Sequence, residues 1–195
     1  MKVLKIFGVG LAVIIVLVVG ISFFLPKTYH VERTVSIDAS PAQVHRLTSD
    51  LQNGWPQWEP WGEADDTIVT TYGDLTAGVG ASQAWSNKDG AGSLTLTMCD
   101  VAVGVEYDMA FNAGQYISKG KLSYTPTGGG TDVTWEMEGA VSGVMGKYFG
   151  FMMDSMVGPM FERGLDNLKA AAEALPTMDE ETASEEGAED EATDC

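Results

Sequence analysis

The chain has 195 residues, 45% of them hydrophobic, and a formal charge of −17, which allows one domain with a real core and some extra segments. Region 27–175 carries 19 acids against 9 bases, and 176–195 adds nine acids and no base. An acid excess of this size argues against nucleic acid and anionic lipid surfaces as partners, since both call for basic patches. The two cysteines, Cys99 and Cys195, make no disulfide framework.

Residues 1–26 form the first segment. Ile6–Leu25 is an uncharged run of 20 residues, long enough at about 1.5 Å per residue to cross a hydrocarbon core of about 30 Å. The rival reading is a cleaved signal peptide. The run is long for one, however, and Ser22-Phe23-Phe24-Leu25-Pro26 offers no small-residue cleavage site. The expectation is an uncleaved, single-pass transmembrane anchor. Lys2, Lys5 and the terminal amine slightly outweigh Lys27 and Arg33, favouring a cytoplasmic N-terminus with the domain outside.

Tyr29–Ile37 alternates, with Val31, Val35 and Ile37 on one face and His30, Glu32, Thr34 and Ser36 on the other, as a strand does. Ser40-Pro41-Ala42-Gln43 then opens a short helix to about Ser49. Ser40 is its N-cap, Pro41 suits the first helical position and Gln43 completes a capping box. Trp55, Trp58 and Trp61 follow with prolines between them, which forbids regular helix and predicts a rigid, irregular segment. With no Lys or Arg between Arg46 and Lys88, these rings are not a nucleic-acid stacking platform.

Six short alternating strands are predicted near 67–73, 80–87, 92–100, 103–113, 116–126 and 131–141, with hairpin turns at Lys88-Asp89-Gly90 and Thr127–Gly130. The inward faces of the last three carry Val105, Tyr107, Met109 and Phe111; then Gly120, Leu122 and Tyr124; then Val133, Trp135 and Met137. Acid, base and acid alternate across their outer faces.

Gly143–Leu175 is helix-like and rich in Met and Phe. Phe149, Met152, Met153, Met156 and Met160 share one face, and Phe161, Leu165, Leu168, Ala172 and Leu175 share another, rotated by about a third of a turn. Gly158-Pro159 between them predicts a kink or break. The Met and Phe stripe reads either as ordinary core or as the lid of an apolar cavity, since Met adapts its shape to varied ligands. Residues 176–195 bury too little apolar surface to offset chain entropy, so a disordered acidic tail is expected.

This order resembles the helix-grip fold of the START-like superfamily, also called SRPBCC or polyketide cyclase/dehydrase and lipid-transport proteins. The resemblance rests on Val35–Val44, the Trp55–Trp61 segment, Gly128–Gly139 and Phe161–Lys169, and spans essentially all of 28–174. It implies an α+β domain over 27–175, in which a curved antiparallel sheet of about seven strands grips the long C-terminal helix around an apolar cavity. It also implies a hydrophobic, lipid-like small molecule as partner, and members of this kind often begin with one membrane-spanning helix. The acidic tail is outside the family pattern.

The cavity residues so implied are Trp58, Trp61, Tyr107, Met109, Tyr124, Trp135, Met137, Phe149, Met152, Met153 and Met156. No metal or cofactor is expected. His30 and His45 are the only histidines, and no nucleophile elbow, phosphate loop or dinucleotide fingerprint is present. Cys99 alternates away from Leu94, Leu96 and Met98, as a spare thiol would. Two other readings stay open: a cyclase-like enzyme working through a cavity tyrosine, and a structural membrane protein with a filled interior. A continuous apolar space separates the binding reading from the structural one.

Overall fold

The computed structural model describes residues 2–176 apart from 89 and 113, with side chains from Phe7 onward. The expected tail beyond 176 therefore lies outside the described residues. Helix α1 is Lys2–Ser22, followed by β1 (Thr28–Ile37), α2 (Pro41–Thr48), a 3-10 turn at Trp55–Gln57 and the short α3 (Trp61–Ala64). Strands β2 (Val69–Tyr72), β3 (Ser82–Asn87), β4 (Gly90–Asp100), β5 (Gly104–Phe111), β6 (Tyr116–Pro126) and β7 (Thr131–Ala140) lead into the long α4 (Gly143–Glu173). The capping box at α2 forms as expected: the Gln43 N–H donates to Ser40 Oγ, and the Ser40 N–H donates to Gln43 Oε1.

All seven strands form one antiparallel sheet in the order β1-β7-β6-β5-β4-β3-β2. Everything from β2 to β7 is a meander, and β1 closes on β7 with Thr28 opposite Ala140 and Ile37 opposite Thr131. The outer face pairs Glu106 with Lys121 and Lys121 with Glu136, as charge alternation predicts. These pairs are solvent-exposed and set register more than stability.

One strand departs from strict alternation. A bulge between Leu96 and Met98 sets Leu96 opposite Tyr107 but Cys99 opposite Val105. An extra residue flips the facing of all that follows it. Cys99 is thus turned toward the core, against expectation, and burial pushes its thiol pKa up. Cys99 is half-buried, and desolvation disfavours its thiolate, the reactive form.

The long helix α4 runs unbroken through Pro159, so the expected break at Gly158-Pro159 does not occur. Its buried residues are Gly150, Met153, Gly158, Phe161, Gly164, Leu165, Leu168 and Ala172; with the partly buried Val157 the run 150, 153, 157, 161, 165, 168, 172 forms a seam along one face, in three- and four-residue steps. In the first half that seam is built largely of glycine, which lets the helix axis come close to β1. The bulky Met and Phe side chains are left on the other side.

Among the described residues, no helix is long and apolar enough to cross a membrane. The expected span Ile6–Leu25 is not shown. The helix ends at Ser22 instead of Leu25, and its side chains are described only from Phe7. What is described is apolar on all sides: Val9, Leu11, Ile14, Ile15, Val16 and Leu17 are among its exposed side chains.

Candidate ligand-binding site

The space between sheet and α4 has two different ends. In its middle, four elements contribute aromatic rings that meet. Trp135 of β7 stacks on Phe161 of α4 with centroids 3.9 Å apart and planes 2° from parallel. Trp58, just after the 3-10 turn, presents its edge to Trp135 at 5.1 Å, and Trp55 packs edge-on against Tyr107 of β5 at 5.4 Å. The indole N–H of Trp135 donates to Tyr107 Oη at 2.7 Å, and those of Trp55 and Trp58 donate to the Thr48 and Leu47 carbonyls. This part is packed core, with its buried polar atoms satisfied.

Tyr107 and two further rings lie flat on glycines of the paired strand: Tyr107 on Gly120, Tyr29 on Gly139 and Trp85 on Gly92. In each case a Cβ on the glycine would overlap the ring. Aromatics laid flat in this way pave the inner face instead of standing up from it.

The helix covers that floor unevenly. It packs along β1 and β7, while α2 packs over β5 and β6. Trp85, Met109 and Phe111 face the same inner side as the buried Leu94, Tyr107 and Val105, yet all three are only partly buried. Trp85 and Phe111 meet edge-on at 5.7 Å. The register puts this partly open floor at one end of the domain. Gly92 lies opposite Phe111, Phe111 opposite Tyr116, and Ser118 opposite Gly139, which precedes α4 by a few residues. The open end is therefore the end at which α4 begins.

Of the residues expected to line a cavity, Trp58, Tyr107, Tyr124, Trp135, Met137 and Met153 are brought together in one buried cluster, and Met109 lies at its edge. Phe149, Met152 and Met156 are not: they are 53%, 53% and 51% exposed. The stripe of largest side chains is offset by one residue from the glycine-lined seam that α4 turns inward, so only Met153 belongs to both. Trp61, on the four-residue α3, is also exposed rather than closing an end.

Sequence reading passed over Arg33. It sits on the helix-facing side of β1, where its Nη1 donates to Asp154 Oδ1 at 2.8 Å and its Nε to Glu162 Oε1 at 2.6 Å. The guanidinium crosses α4 at Gly158, where a Cβ would overlap it. Its hydrogen bonds hold the Asp154 carboxyl below the usual carboxylate range. The available signal was a strand pattern with one charge on its apolar face, matched by acids eight apart around a helical glycine.

Hydroxyl groups inside are engaged. Tyr107 accepts from Trp135, and Tyr124 shares a short hydrogen bond with Thr48. Burial pushes both phenol pKa values upward, which disfavours either as a general base. His45 of α2 packs edge-on to Tyr124, and its buried Nδ1 has no partner. Burial lowers its pKa, opposed by the charge of Asp100. A histidine held neutral when folded contributes stability that is intact above its unfolded value of about 6.5 and is lost as pH falls below it. Denaturation midpoints should therefore drop from pH 7 to pH 5.5, and His45→Gln should flatten that drop.

On the outer face, His30, Glu32 and Glu136 bring three possible metal-ligand atoms within 4.8 Å of one another. They lie across the sheet from the interior, two of them solvent-exposed, and take no part in this site. At the far end of α4 an open groove of about 550 Å³ is lined by Asp38, Ser40, Gln43, Gly129 and Glu173. Ala39, Pro41, Pro126 and Leu175 also line it, so it is of mixed polarity, and none of the residues expected around the apolar space borders it.

Several solved structures share this architecture. The KanY protein superposes with a TM-score of 0.59 at 19% identity, covering 75% of this chain and 99% of that one. A protein from Chromobacterium violaceum gives 0.55 at 16%, covering 77% and 100%. The di-domain ARO/CYC protein StfQ of the steffimycin biosynthetic pathway gives 0.55 at 10%, covering 75% of this chain and 51% of StfQ. At these identities the likeness is one of fold. No curated protein matches the chain in sequence. Residues 28–173, the whole unit from the first residue of β1 to the last of α4, match the family described as polyketide cyclase / dehydrase and lipid transport, and the chain belongs to that family.

Proposed function

We propose that this protein is a membrane-anchored domain that takes up an apolar or amphipathic, lipid-like small molecule and releases it unchanged. The observation that carries the reading is the partly open floor: Trp85, Met109 and Phe111 face the inside of the sheet and are only partly covered. Contiguous apolar surface left uncovered on a concave face marks a binding site. Membership of a family that includes lipid transport supports the same reading. For anchoring, the support is α1, whose described surface is apolar all round; such a helix is stable only when something apolar surrounds it. The charge bias ahead of it favours a cytoplasmic N-terminus.

The filled centre favours a second reading, in which Trp58, Trp135 and Phe161 make the domain a rigid structural element with nothing to bind. A fluorescent fatty acid offered to the full chain in nanodiscs separates the two. Binding is expected, and Met109→Gln should weaken it by about tenfold, roughly the loss of one apolar side-chain contact. Met109 is partly exposed, so the far-ultraviolet circular dichroism should not change. No uptake, or uptake indifferent to Met109→Gln, leaves the structural reading standing. Carbonate extraction should leave the full chain in the membrane pellet, and its release would end the anchor reading.

A further inference from the structure

The helix α4 begins in an unusual way for this acidic chain. Between Gly139 and Met153 there is no acid, and Lys147 is the only charge. Met145, Phe149, Phe151 and Met152 are all exposed there, while the buried side is built from Gly150 and Met153. These first three turns present a broad apolar face with no protein over it. They are also where α4 meets α1: Lys147 Nζ donates to the Ser22 carbonyl at 2.8 Å, and Tyr148 Oη donates to the Val18 carbonyl at 2.9 Å. Lys147 also stands 5.9 Å above the Phe23 ring. Lys147 thus caps the last carbonyl of α1, and with Tyr148 it fixes the two helices together instead of leaving α1 on a free tether.

Resting on the anchored reading above, we infer that the start of α4, from Met145 to Met152, lies in the surface of the bilayer that α1 enters, holding the open end of the floor against the lipid. Continuity with α1 supplies the occupant. Val18 lies one turn inside the end of α1 at Ser22 and seven residues before Leu25 on the apolar run, so a residue bonded to its carbonyl is already at the depth of the lipid headgroups or below. Charge agrees. A face without acids and with one lysine that is already engaged fits a neutral, zwitterionic surface, whereas the rest of the domain is repelled by anionic lipid. Exposed Tyr116, paired with Phe111 at the start of β6, lies at the same end of the sheet on the inner side and extends this face toward Phe111. An apolar molecule would then pass between bilayer and floor without crossing water.

The test uses the full chain with Cys99→Ala and Cys195→Ala, in phosphatidylcholine nanodiscs. A single environment-sensitive fluorophore is placed through Phe149→Cys, Met152→Cys, Leu17→Cys in α1, or Gly129→Cys at the opposite end of the domain. Nitroxide-bearing phosphatidylcholine should quench the labels at 149, 152 and 17 by about twofold or more, as expected for side chains buried at the headgroup boundary, and leave 129 unchanged. Quenching at 17 without quenching at 149 and 152 overturns the docking while the anchor stands. Loss of quenching at all three overturns both. If the label at 152 is shielded from water, unquenched by lipid and cross-links to a second copy, the face is a dimer interface and the inference is wrong. Adding Met145→Glu and Phe151→Glu, both at exposed positions, should lift the quenching at 152 with circular dichroism unchanged.

Discussion

Trp135→Ala should cost about 3–5 kcal/mol, as removal of a buried aromatic usually does, and lower the melting temperature by about 10 °C or more. For a domain whose total stability is about 5–15 kcal/mol, that is a large share. The indole stacks on Phe161 and meets the edge of Trp58, so its loss opens a void between sheet, helix and 3-10 turn together. It also removes the N–H that bonds Tyr107. Chemical denaturation of the full chain should show the midpoint shifted with little change in slope. Trp135→Phe keeps a ring to stack on Phe161 but loses the hydrogen bond and part of the indole's volume, so it should cost less, about 1–3 kcal/mol. Equal costs for the two variants would show that the hydrogen bond, not the stack, holds this region.

Gly104→Ala should be as damaging, for a backbone reason. Gly104 opens β5 with φ at +132°, and a Cβ there would overlap the Leu122 carbonyl on the neighbouring strand. The strained conformation and the backbone overlap together should cost about 3–5 kcal/mol. Neither strand can yield, because Gly104 is held opposite Asp100 on one side and Ser123 on the other. By contrast, Gly128→Ala, where a Cβ meets nothing, should leave the denaturation midpoint within about 0.5 kcal/mol. A mild effect at Gly104 would mean that the β4–β5 turn can rearrange.

The strands and the capped helix were legible because each carries its own local pattern: a period of two, a Gly turn, a Ser40–Gln43 box. The inward faces of β5, β6 and β7 were read correctly for the same reason. Local patterns did not reach three features. The bulge near Thr97 inserts one residue without any Gly or Pro to mark it, so the inward turn of Cys99 was invisible. Gly158-Pro159 predicts a kink or break, and no break occurs because in a 31-residue helix one lost hydrogen bond is outweighed by the seam on either side. Most consequential was the facing of Phe149, Met152 and Met156. Hydrophobicity alone assigned these residues to the interior, whereas the structure uses glycines there so that Arg33 can pass beneath the helix to Asp154 and Glu162. Where a backbone must approach closely, the most apolar face of a helix and its buried face need not coincide.

The pairing of the first strand with the last also sets the order of assembly. From β2 to β7 each strand bonds to its sequence neighbour, so those hairpins can form with short loop closures. β1 must wait for Thr131–Ala140, roughly a hundred residues later, and α4 then packs across the seam between them. Closure over such a distance is the slow step of a folding reaction, because its entropy is spent before any contact repays it. During synthesis β1 emerges directly behind α1 and stays an unpaired edge until nearly all of the domain has followed. The apolar α1 would then be fully made before the fold could close, and mutations that weaken β1–β7 pairing should slow folding rather than merely loosen the folded state.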